Sequence, residues 1–297
     1  MKTLSAIVKR NIKLFFKDKG MFLTSLITPV ILLVLYATFL GDVYRDSFAL
    51  SFPDGVSFSE KLMNGLVGGQ LVSSILSVSC VTVSFCSNFL MVQDKAGGAI
   101  KDFGITPVKP SLLALGYYIA ALSSTLIICF SAAFVCLAYM ALVGFYMSLA
   151  DVALLFADTV ILVLFGTALS SVVGFFLSSQ GQISAVGSMV SSGYGFISGA
   201  YMPLSQFGAW LRTLVSFMPG TYGTALLRTH AMRGAIAEMQ AQGLPTEAAK
   251  AMMDAADCNA YFFGNAVEVP VMYAIIIGAT ALLLGVYVML NKFKKAK

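Results

Sequence analysis

The chain has 297 residues, of which 58% are hydrophobic and only 11% charged, with a formal net charge of +5 and a mean hydropathy of +0.86. Soluble domains carry about 25% charged residues, so this composition excludes a soluble globular fold. Helices and closed barrels satisfy their own backbone hydrogen bonds within lipid, and the continuous apolar runs here lack the strict alternation of barrel strands. The composition therefore predicts an all-α, polytopic membrane protein, with residues 1–297 forming one transmembrane domain.

The first predicted element is an amphipathic helix over residues 1–19. Lysines separate apolar residues that recur at helical spacing. These apolar residues are Leu4, Ile7, Val8, Ile12, Phe15 and Phe16. The pattern is typical of a helix lying in the cytoplasmic interface of a membrane. It leaves open whether this helix has a specific role or is a generic membrane anchor.

Six apolar segments are long enough to cross about 30 Å of hydrocarbon. In chain order they are residues 21–40, 62–92, 111–145, 152–178, 183–203 and 267–290. An even number of crossings places both termini on one side of the membrane. Thirteen Lys and Arg residues flank that side, and six flank the other. The positive-inside rule therefore predicts cytoplasmic termini, in a multi-pass protein of the plasma membrane.

The loop 93–110 joins the second and third predicted spans on the cytoplasmic side. It combines charged residues with the apolar Ile100 and Phe103. Pro107 stops a helix and favours an extended Thr106 before it. One interpretation is a short helix that docks on a partner, and the other is a solvated connecting loop.

A segment over residues 205–266 follows the fifth span and is predicted to lie outside. Residues 207–228 are too short, and too interrupted by Pro219, to span the membrane on their own. They predict a re-entrant hairpin of two short helices dipping back from the outer face, or alternatively a simple interfacial loop. Trp210 and Tyr222 suit the headgroup zone. Residues 229–266 are polar and predicted to be partly helical.

Two stretches resemble type-2 ABC export permeases, the ABC-2 type transporters. The first runs from residue 94 to 108, where an acidic residue, a helix and a Thr-Pro pair precede the third span. The second is a Ser-Gly-Ala-aromatic-x-Pro-Leu run at residues 198–204, followed by Pro219-x-x-Tyr222 and by Arg228. Together with the amphipathic N-terminus, the resemblance covers essentially the whole chain. The chain departs from it in Asp94, where the family commonly has Glu, and in the length of its outer segment.

The resemblance implies a permease subunit that moves a drug, lipid, peptide or glycan out of the cell. A second permease subunit, identical or different, would form a dimer with it in membrane lipid, and substrate would pass between the two. ATP and Mg²⁺ would be held by a separate ABC ATPase chain. No phosphate loop occurs in this sequence, so we expect it to bind no cofactor, to be no enzyme itself and to have no nucleic-acid partner.

The resemblance also assigns roles to particular residues. Coupling to the ATPase is expected of Asp94, Lys95, Gly97, Lys101, Phe103, Thr106 and Pro107. The outer re-entrant motif comprises Gly199, Pro203, Pro219, Tyr222 and Arg228. The resemblance implies that the ATPase moves two elements when it closes on ATP. One is the coupling loop that carries the first group of residues, and the other is the N-terminal helix.

Three further residues are candidates for a substrate pathway. Asp158 is the one carboxylate well inside an apolar run, which makes it a functional candidate, although a hydrogen-bonded position near the outer interface is the alternative. Ser188 and Ser192 belong to a span rich in small residues, which either pack helices closely or line a subunit interface. The only histidine, His230, is predicted to lie outside without a ligand-spaced companion, so neither a metal site nor acid-base chemistry is expected.

Two other functional classes stay open at this stage. An ion-coupled secondary transporter needs charged or broken helices at mid-membrane, and Asp158 is the only residue that suggests one. A membrane-embedded enzyme needs a clustered nucleophile and base, which a single histidine placed outside does not provide.

Overall fold

The structure is a computed structural model that describes residues 2–50, 52, 57–106 and 108–293. These residues form helices and one small β-hairpin. The helices are α1 (Lys2–Lys17), α2 (Lys19–Leu35), α3 (Gly41–Ala49), α4 (Glu60–Ala96), α5 (Ala99–Gly104), α6 (Pro110–Val143), α7 (Leu149–Phe176), α8 (Gln180–Ile197), α9 (Ala209–Ser216), α10 (Pro219–Ala241), α11 (Thr246–Ala255) and α12 (Val269–Phe293). The antiparallel hairpin pairs β1 (Ala260–Phe262) with β2 (Asn265–Val267). The prediction of an all-α membrane protein is confirmed, with this hairpin as the exception.

Five helical segments within the described residues are long and apolar enough to cross a membrane. They are Lys19–Ala49, Glu60–Ala96, Pro110–Val143, Leu149–Phe176 and Val269–Phe293. In the first of them, a π-helical turn at Tyr36–Leu40 joins α2 to α3 without a break. The segment predicted as a fifth crossing forms α8, which has only 18 residues. Its many serines and glycines leave it less apolar than the other five.

Helix α4 is the centre of the bundle, because α2, α6, α7, α8 and α10 all pack against it. Small residues on its surface allow this close packing. A Cβ atom added to Gly69 would lie 2.7 Å from the carbonyl oxygen of Ala231 on α10. One added to Gly166 of α7 would lie 2.9 Å from the carbonyl oxygen of Cys80. The backbones of these helices therefore meet at positions where no larger side chain fits.

The N-terminal helix α1 is amphipathic, as predicted, and it packs along α6. Ile7 and Phe15 are buried on its inner face. A Cβ atom on Gly116 of α6 would lie 2.5 Å from Ile7, so the two helices are in close contact. The chain turns at Asp18, whose carboxylate accepts hydrogen bonds from the backbone N–H groups of Gly20 and Met21 and so caps α2.

The helix bundle has two distinct ends. We call the end that carries α1, α5 and the 177–179 turn the proximal end. The opposite end, which carries residues 198–268, is the distal end. Proximal contacts join the N-terminal part of α6 to the C-terminal parts of α4 and α12, since the hydroxyl of Tyr287 donates to the carbonyl of Ala114 at 3.3 Å and to the sulfur of Met91 at 3.3 Å.

The distal segment differs from its prediction in the length of its second helix. Helix α9 is short, with 8 residues, but α10 is one helix of 23 residues. Pro219 occupies the first turn of α10, where its missing N–H costs no hydrogen bond. It therefore begins a long helix instead of interrupting a short one, and Arg228 lies in the middle of that helix. The remaining residues to 268 are helical in part, as predicted.

Candidate functional site

A hydrogen-bonded cluster at the proximal end joins three helices. Asp94, near the end of α4, accepts hydrogen bonds from Arg10 of α1 at 2.6 Å and from Tyr117 of α6 at 2.5 Å. Asp94 is buried, whereas Arg10 is partly exposed. The pKa of Arg10 is raised above its ordinary value, chiefly because its guanidinium donates to Asp94. We call Arg10, Asp94 and Tyr117 the proximal cluster.

Phe103 of the coupling loop lies against the same cluster. The guanidinium carbon of Arg10 lies 5.5 Å from the centre of the Phe103 ring, within the range of a cation–π contact. The sequence predicted that Asp94 and Phe103 face a partner, with Phe103 as an apolar contact among the charged residues of the loop. The structure instead places both against Arg10, so they connect α5 to the bundle.

Lys95 holds the end of α4 against the end of α7. Its ammonium group donates to the carbonyl oxygens of Gly174 and Phe175 at 2.8 Å each, and to that of Leu177 at 3.3 Å. It also lies 5.4 Å from the ring centre of Phe175. A positive charge at a helix C-terminus is favourable, because the last carbonyl groups there lack partners within the helix. Lys95 is therefore an internal link and not a partner-facing charge.

The turn between α4 and α5 depends on a glycine that the sequence analysis did not single out. Gly97, which was assigned to coupling, has an ordinary right-handed conformation at the end of α4. Gly98, by contrast, has φ of +81°, a left-handed conformation that side chains disfavour. Thr106 closes the other end of α5, since its hydroxyl donates to the carbonyl of Phe103 at 2.6 Å. Pro107 lies outside the described residues.

The surface that α5 presents to solvent is formed by other residues. Lys101, Asp102 and Thr106 are exposed, and Ile105 has 88% of its surface exposed. Ile105 is the apolar residue of this surface, a position that the prediction had given to Phe103. Exposed charges around an apolar side chain are a common arrangement in protein interfaces.

At the distal end, a buried arginine organises the outer motif. Arg228 is 0% exposed, and its guanidinium donates to Asp257 at 3.2 Å, to the carbonyl of Gly199 at 2.5 Å and to Ser74 of α4 at 3.4 Å. Gly199 has φ of +74°, which requires glycine. Asp257 also accepts from the backbone N–H of Leu204 at 2.6 Å. Asp257 was not identified from the sequence.

The other residues predicted for the outer motif take structural positions around Arg228. Pro203 precedes a single 3₁₀ turn at Leu204–Gln206. Tyr222 is buried, and its hydroxyl donates to the carbonyl of Ser216 at 2.6 Å. Tyr222 therefore packs inside the protein at the distal end, and its predicted place in the headgroup zone stays a prediction. Trp210, the other residue assigned to that zone, is 73% exposed.

Asp158 is buried in a hydrogen-bonded group whose other members were not predicted. One carboxylate oxygen lies 2.6 Å from Nδ1 of His230 on α10, and the other accepts from the hydroxyl of Tyr273 on α12 at 2.5 Å. The sequence showed no ligand-spaced companion for His230 and did not identify Asp158 as its hydrogen-bond partner. Both His230 and Asp158 are almost fully buried. Within the described residues, no group of three or more His, Cys, Asp or Glu is arranged to hold a metal.

Ser188 and Ser192 lie on an exposed face of α8. The hydroxyl of Ser192 donates to the carbonyl of Ser188 at 2.7 Å, which satisfies it within the helix. Met189 on the same face is 73% exposed. The structure thus separates the three pathway candidates into one buried carboxylate and two exposed serines.

Comparison with models of known protein families gives a match. A family model described as "ABC-2 type transporter" matches residues 2–230, from the start of α1 to the middle of α10. The curated proteins compared with the chain include no match. The family match confirms the resemblance identified from the sequence. It ends just after Arg228, so the remainder of the distal segment lies beyond the matched region.

Proposed function

The chain belongs to the ABC-2 type transporter family, and from this premise we propose that it is the permease subunit of an ATP-driven exporter. Membership makes it a multi-pass transport component, and permeases of this family generally work with an ABC ATPase subunit. Our proposal adds the direction of transport, outward, and a partner ATPase that carries ATP and Mg²⁺. It also adds cytoplasmic termini in the plasma membrane, which the excess of basic residues at the proximal end supports.

The observation that carries the proposal is the attachment of α5 to several helices at once. The proximal cluster joins α1, α4 and α6, Phe103 joins α5 to Arg10, and Lys95 joins α4 to α7. A partner that pushes on α5 therefore acts on four helices of the bundle. We propose that the exposed surface of α5, with Ile105 at its centre, is where the ATPase binds.

The proposed pathway lies between two copies of the permease, along α8. This helix has the lowest share of apolar residues among the candidate crossings, and its exposed face carries polar residues such as Ser188 and Ser192, which are typical of helix–helix interfaces in membranes. A second copy, or water between two copies, would cover this face more favourably. We therefore propose α8 as the sixth crossing, and a drug, lipid, peptide or glycan as the cargo. The same proposal takes α9 and the first part of α10 as the re-entrant hairpin.

A copurification experiment tests the coupling proposal. Ile105→Ser should reduce by tenfold or more the amount of ABC ATPase that copurifies with the tagged chain, because a central apolar contact of an interface commonly contributes about 2 kcal/mol or more. Leu50→Ser is the matched control, since Leu50 is also 88% exposed but lies at the distal end. Phe103→Ala should weaken the association as well, by releasing Arg10. If no ATPase copurifies with the unchanged chain, or if both serine variants behave alike, the proposal is wrong.

Reconstituted vesicles separate association from coupling. Asp94→Asn keeps the size of the side chain but removes the charge that holds Arg10. It should leave the ATPase bound while its hydrolysis no longer responds to substrate. Hydrolysis that responds as in the unchanged chain would contradict the assignment of Asp94 to coupling.

The second candidate function is ion-coupled transport, which one observation favours. Asp158 is a buried carboxylate beside a histidine and a tyrosine, the kinds of group that carry protons in transporters. Transport by the two candidates differs in its energy source. If vesicles that contain the permease–ATPase complex transport only when ATP is supplied, the result supports the exporter. Transport that an ion gradient drives without ATP supports the alternative.

A further inference from the structure

A cavity of about 650 Å³ lies at the distal end of the molecule, among α9, α10 and the β-hairpin. Its volume is within the range of sites that hold a small molecule or a lipid headgroup. Apolar residues such as Leu204 and Ala225 line part of it, and the buried Arg228 and Asp257 form another part. The exposed face of α8 that carries Ser188 and Ser192 contributes nothing to its lining. The cavity is therefore distinct from the proposed pathway.

The cavity lies at the level where two helices end. Ser198, which lines it, directly follows α8, and Tyr261 and Phe263, which also line it, belong to the hairpin that directly precedes α12. Tyr261 and Phe263 are themselves exposed, and the exposed Phe217 lies beside them, with its ring centre 5.9 Å from that of Phe263. Aromatic residues concentrate at the boundary between lipid and water. An amphiphile in the adjacent leaflet can therefore reach the cavity.

The cavity wall carries one positive and one negative group without an oppositely charged partner. Arg228 and Asp257 neutralise each other through their ion pair. The side chain of Arg212 is exposed, and its guanidinium makes neither an ion pair nor a hydrogen bond with any residue that the structure describes. Asp254 accepts hydrogen bonds from the neutral groups of Asn259, at 2.7 Å, and of Tyr261, at 2.8 Å, so its negative charge is not balanced by them.

We propose that this cavity binds the headgroup of a zwitterionic amphiphile, of the phosphoethanolamine class. The phosphate group would bind Arg212, whose guanidinium suits phosphate oxygens, and the ammonium group would bind Asp254. The acyl chains would leave between the aromatic side chains around the cavity. A purely anionic headgroup would face Asp254 without compensation, and a purely cationic one would face Arg212. A headgroup that carries both charges therefore matches the cavity wall better than a purely anionic or a purely cationic headgroup does.

The single tryptophan of the chain provides a probe for this binding. Trp210 lies on α9 between Ala209 and Arg212, both of which line the cavity. The purified chain in an uncharged detergent is titrated with a short-chain phosphatidylethanolamine while tryptophan emission is followed, and native mass spectrometry counts the bound lipids. Phosphatidic acid, an alkylamine and free phosphoethanolamine are titrated in parallel. We expect saturable binding of the zwitterionic lipid, at least tenfold tighter than that of the other three.

Substitutions in the cavity wall then test the two charges separately. Arg212→Gln should weaken binding of the zwitterionic lipid at least tenfold. Asp254→Asn should also weaken it, but should strengthen binding of phosphatidic acid, because the opposing charge is gone. The asparagine can still accept from Asn259 and Tyr261, so the fold is retained. Lys250→Gln and Glu247→Gln are the controls, because each removes a charge of the same sign from α11 outside the cavity.

The outcomes separate this proposal from the transport function, since binding needs neither ATP nor a partner chain. Equal binding of phosphatidic acid or of the alkylamine would overturn the assignment to a zwitterion. Free phosphoethanolamine that binds as tightly as the lipid would overturn the role of the acyl chains. Cavity variants that bind like the α11 controls would overturn the location. A failure of the ATPase to copurify would contradict the transport proposal and would leave these results unaffected.

Discussion

Replacement of Arg228 by methionine should destabilise the protein strongly. Methionine preserves most of the volume of the side chain but removes the guanidinium that bonds to Asp257, Gly199 and Ser74. The carboxylate of Asp257 would keep its bond from the backbone N–H of Leu204 but lose the positive charge of Arg228. Loss of one partner from a buried ion pair costs about 3–5 kcal/mol, because the remaining charge stays buried.

The same helix offers a matched control in Arg233. It also pairs with an aspartate, at 2.7 Å between its Nε and Asp151, but 49% of its side chain is exposed. Asp151 is buried, but without Arg233 it keeps its hydrogen bonds from the backbone N–H and the hydroxyl of Ser148. Arg233→Met should therefore cost less than Arg228→Met, about 1 kcal/mol, as for a partly exposed pair. Asp257→Asn in the Arg228→Met background should recover part of the loss, since the buried partner is then neutral. The expected coupling energy between the two positions is about 1–3 kcal/mol.

Thermal unfolding followed with a thiol-reactive dye measures these effects. Four of the five cysteines are buried and the fifth is partly buried, and all are free thiols, so they become reactive on unfolding. A change of 1 kcal/mol shifts the melting temperature of a chain of about 150–250 residues by about 2–4 °C. Arg228→Met should therefore lower the melting temperature by about 10 °C, and Arg233→Met by about 2 °C. Equal shifts for the two variants would refute the role assigned to the buried pair.

Three further predictions concern topology, the buried carboxylate and the α4–α5 turn. A cysteine at Gln242 should react with an impermeant thiol reagent on intact cells while one at Lys101 resists it, and the reverse pattern would overturn the proposed orientation. Asp158→Asn should lower transport without lowering the amount of folded protein, and unchanged transport would make the residue purely structural. Gly98→Ala should cost about 1–2 kcal/mol in dye-monitored unfolding because of its positive φ, and Gly97→Ala should cost less; equal losses would contradict the strain argument.

Much of the architecture could be predicted from the sequence because crossing a membrane imposes a length and a composition. For the five most apolar segments, most of the predicted boundaries lie within a few residues of the observed helix ends. The segment 183–203 was harder, since its serines and glycines weaken the apolar signal of α8. The long α10 was missed for a different reason. A proline was taken as an interruption, although the same residue is favourable in the first turn of a helix.

The polar contacts could not be predicted, because their partners are far apart in the chain. Asp158 and His230 are separated by 72 positions, and Arg10 and Asp94 by 84. A single sequence shows each charged residue but not the helix that packs beside it. The residues named for coupling lie in one stretch of the chain, but the sequence does not show which of them are buried and which are exposed. Asp94 and Lys95 face the bundle, and the exposed apolar position is Ile105.

Helix α4 is the element through which the two ends of the molecule can act on each other. It runs for 37 residues without a proline, a length of about 55 Å, so it can move as one body. Lys95 at its proximal end binds the last carbonyls of α7, directly before the turn into α8. Ser74, towards its distal end, accepts a hydrogen bond from Arg228. In the proposed mechanism, a push on α5 therefore displaces α8 through α7 and the outer motif through α4, so that the pathway and its distal end respond to the same motion.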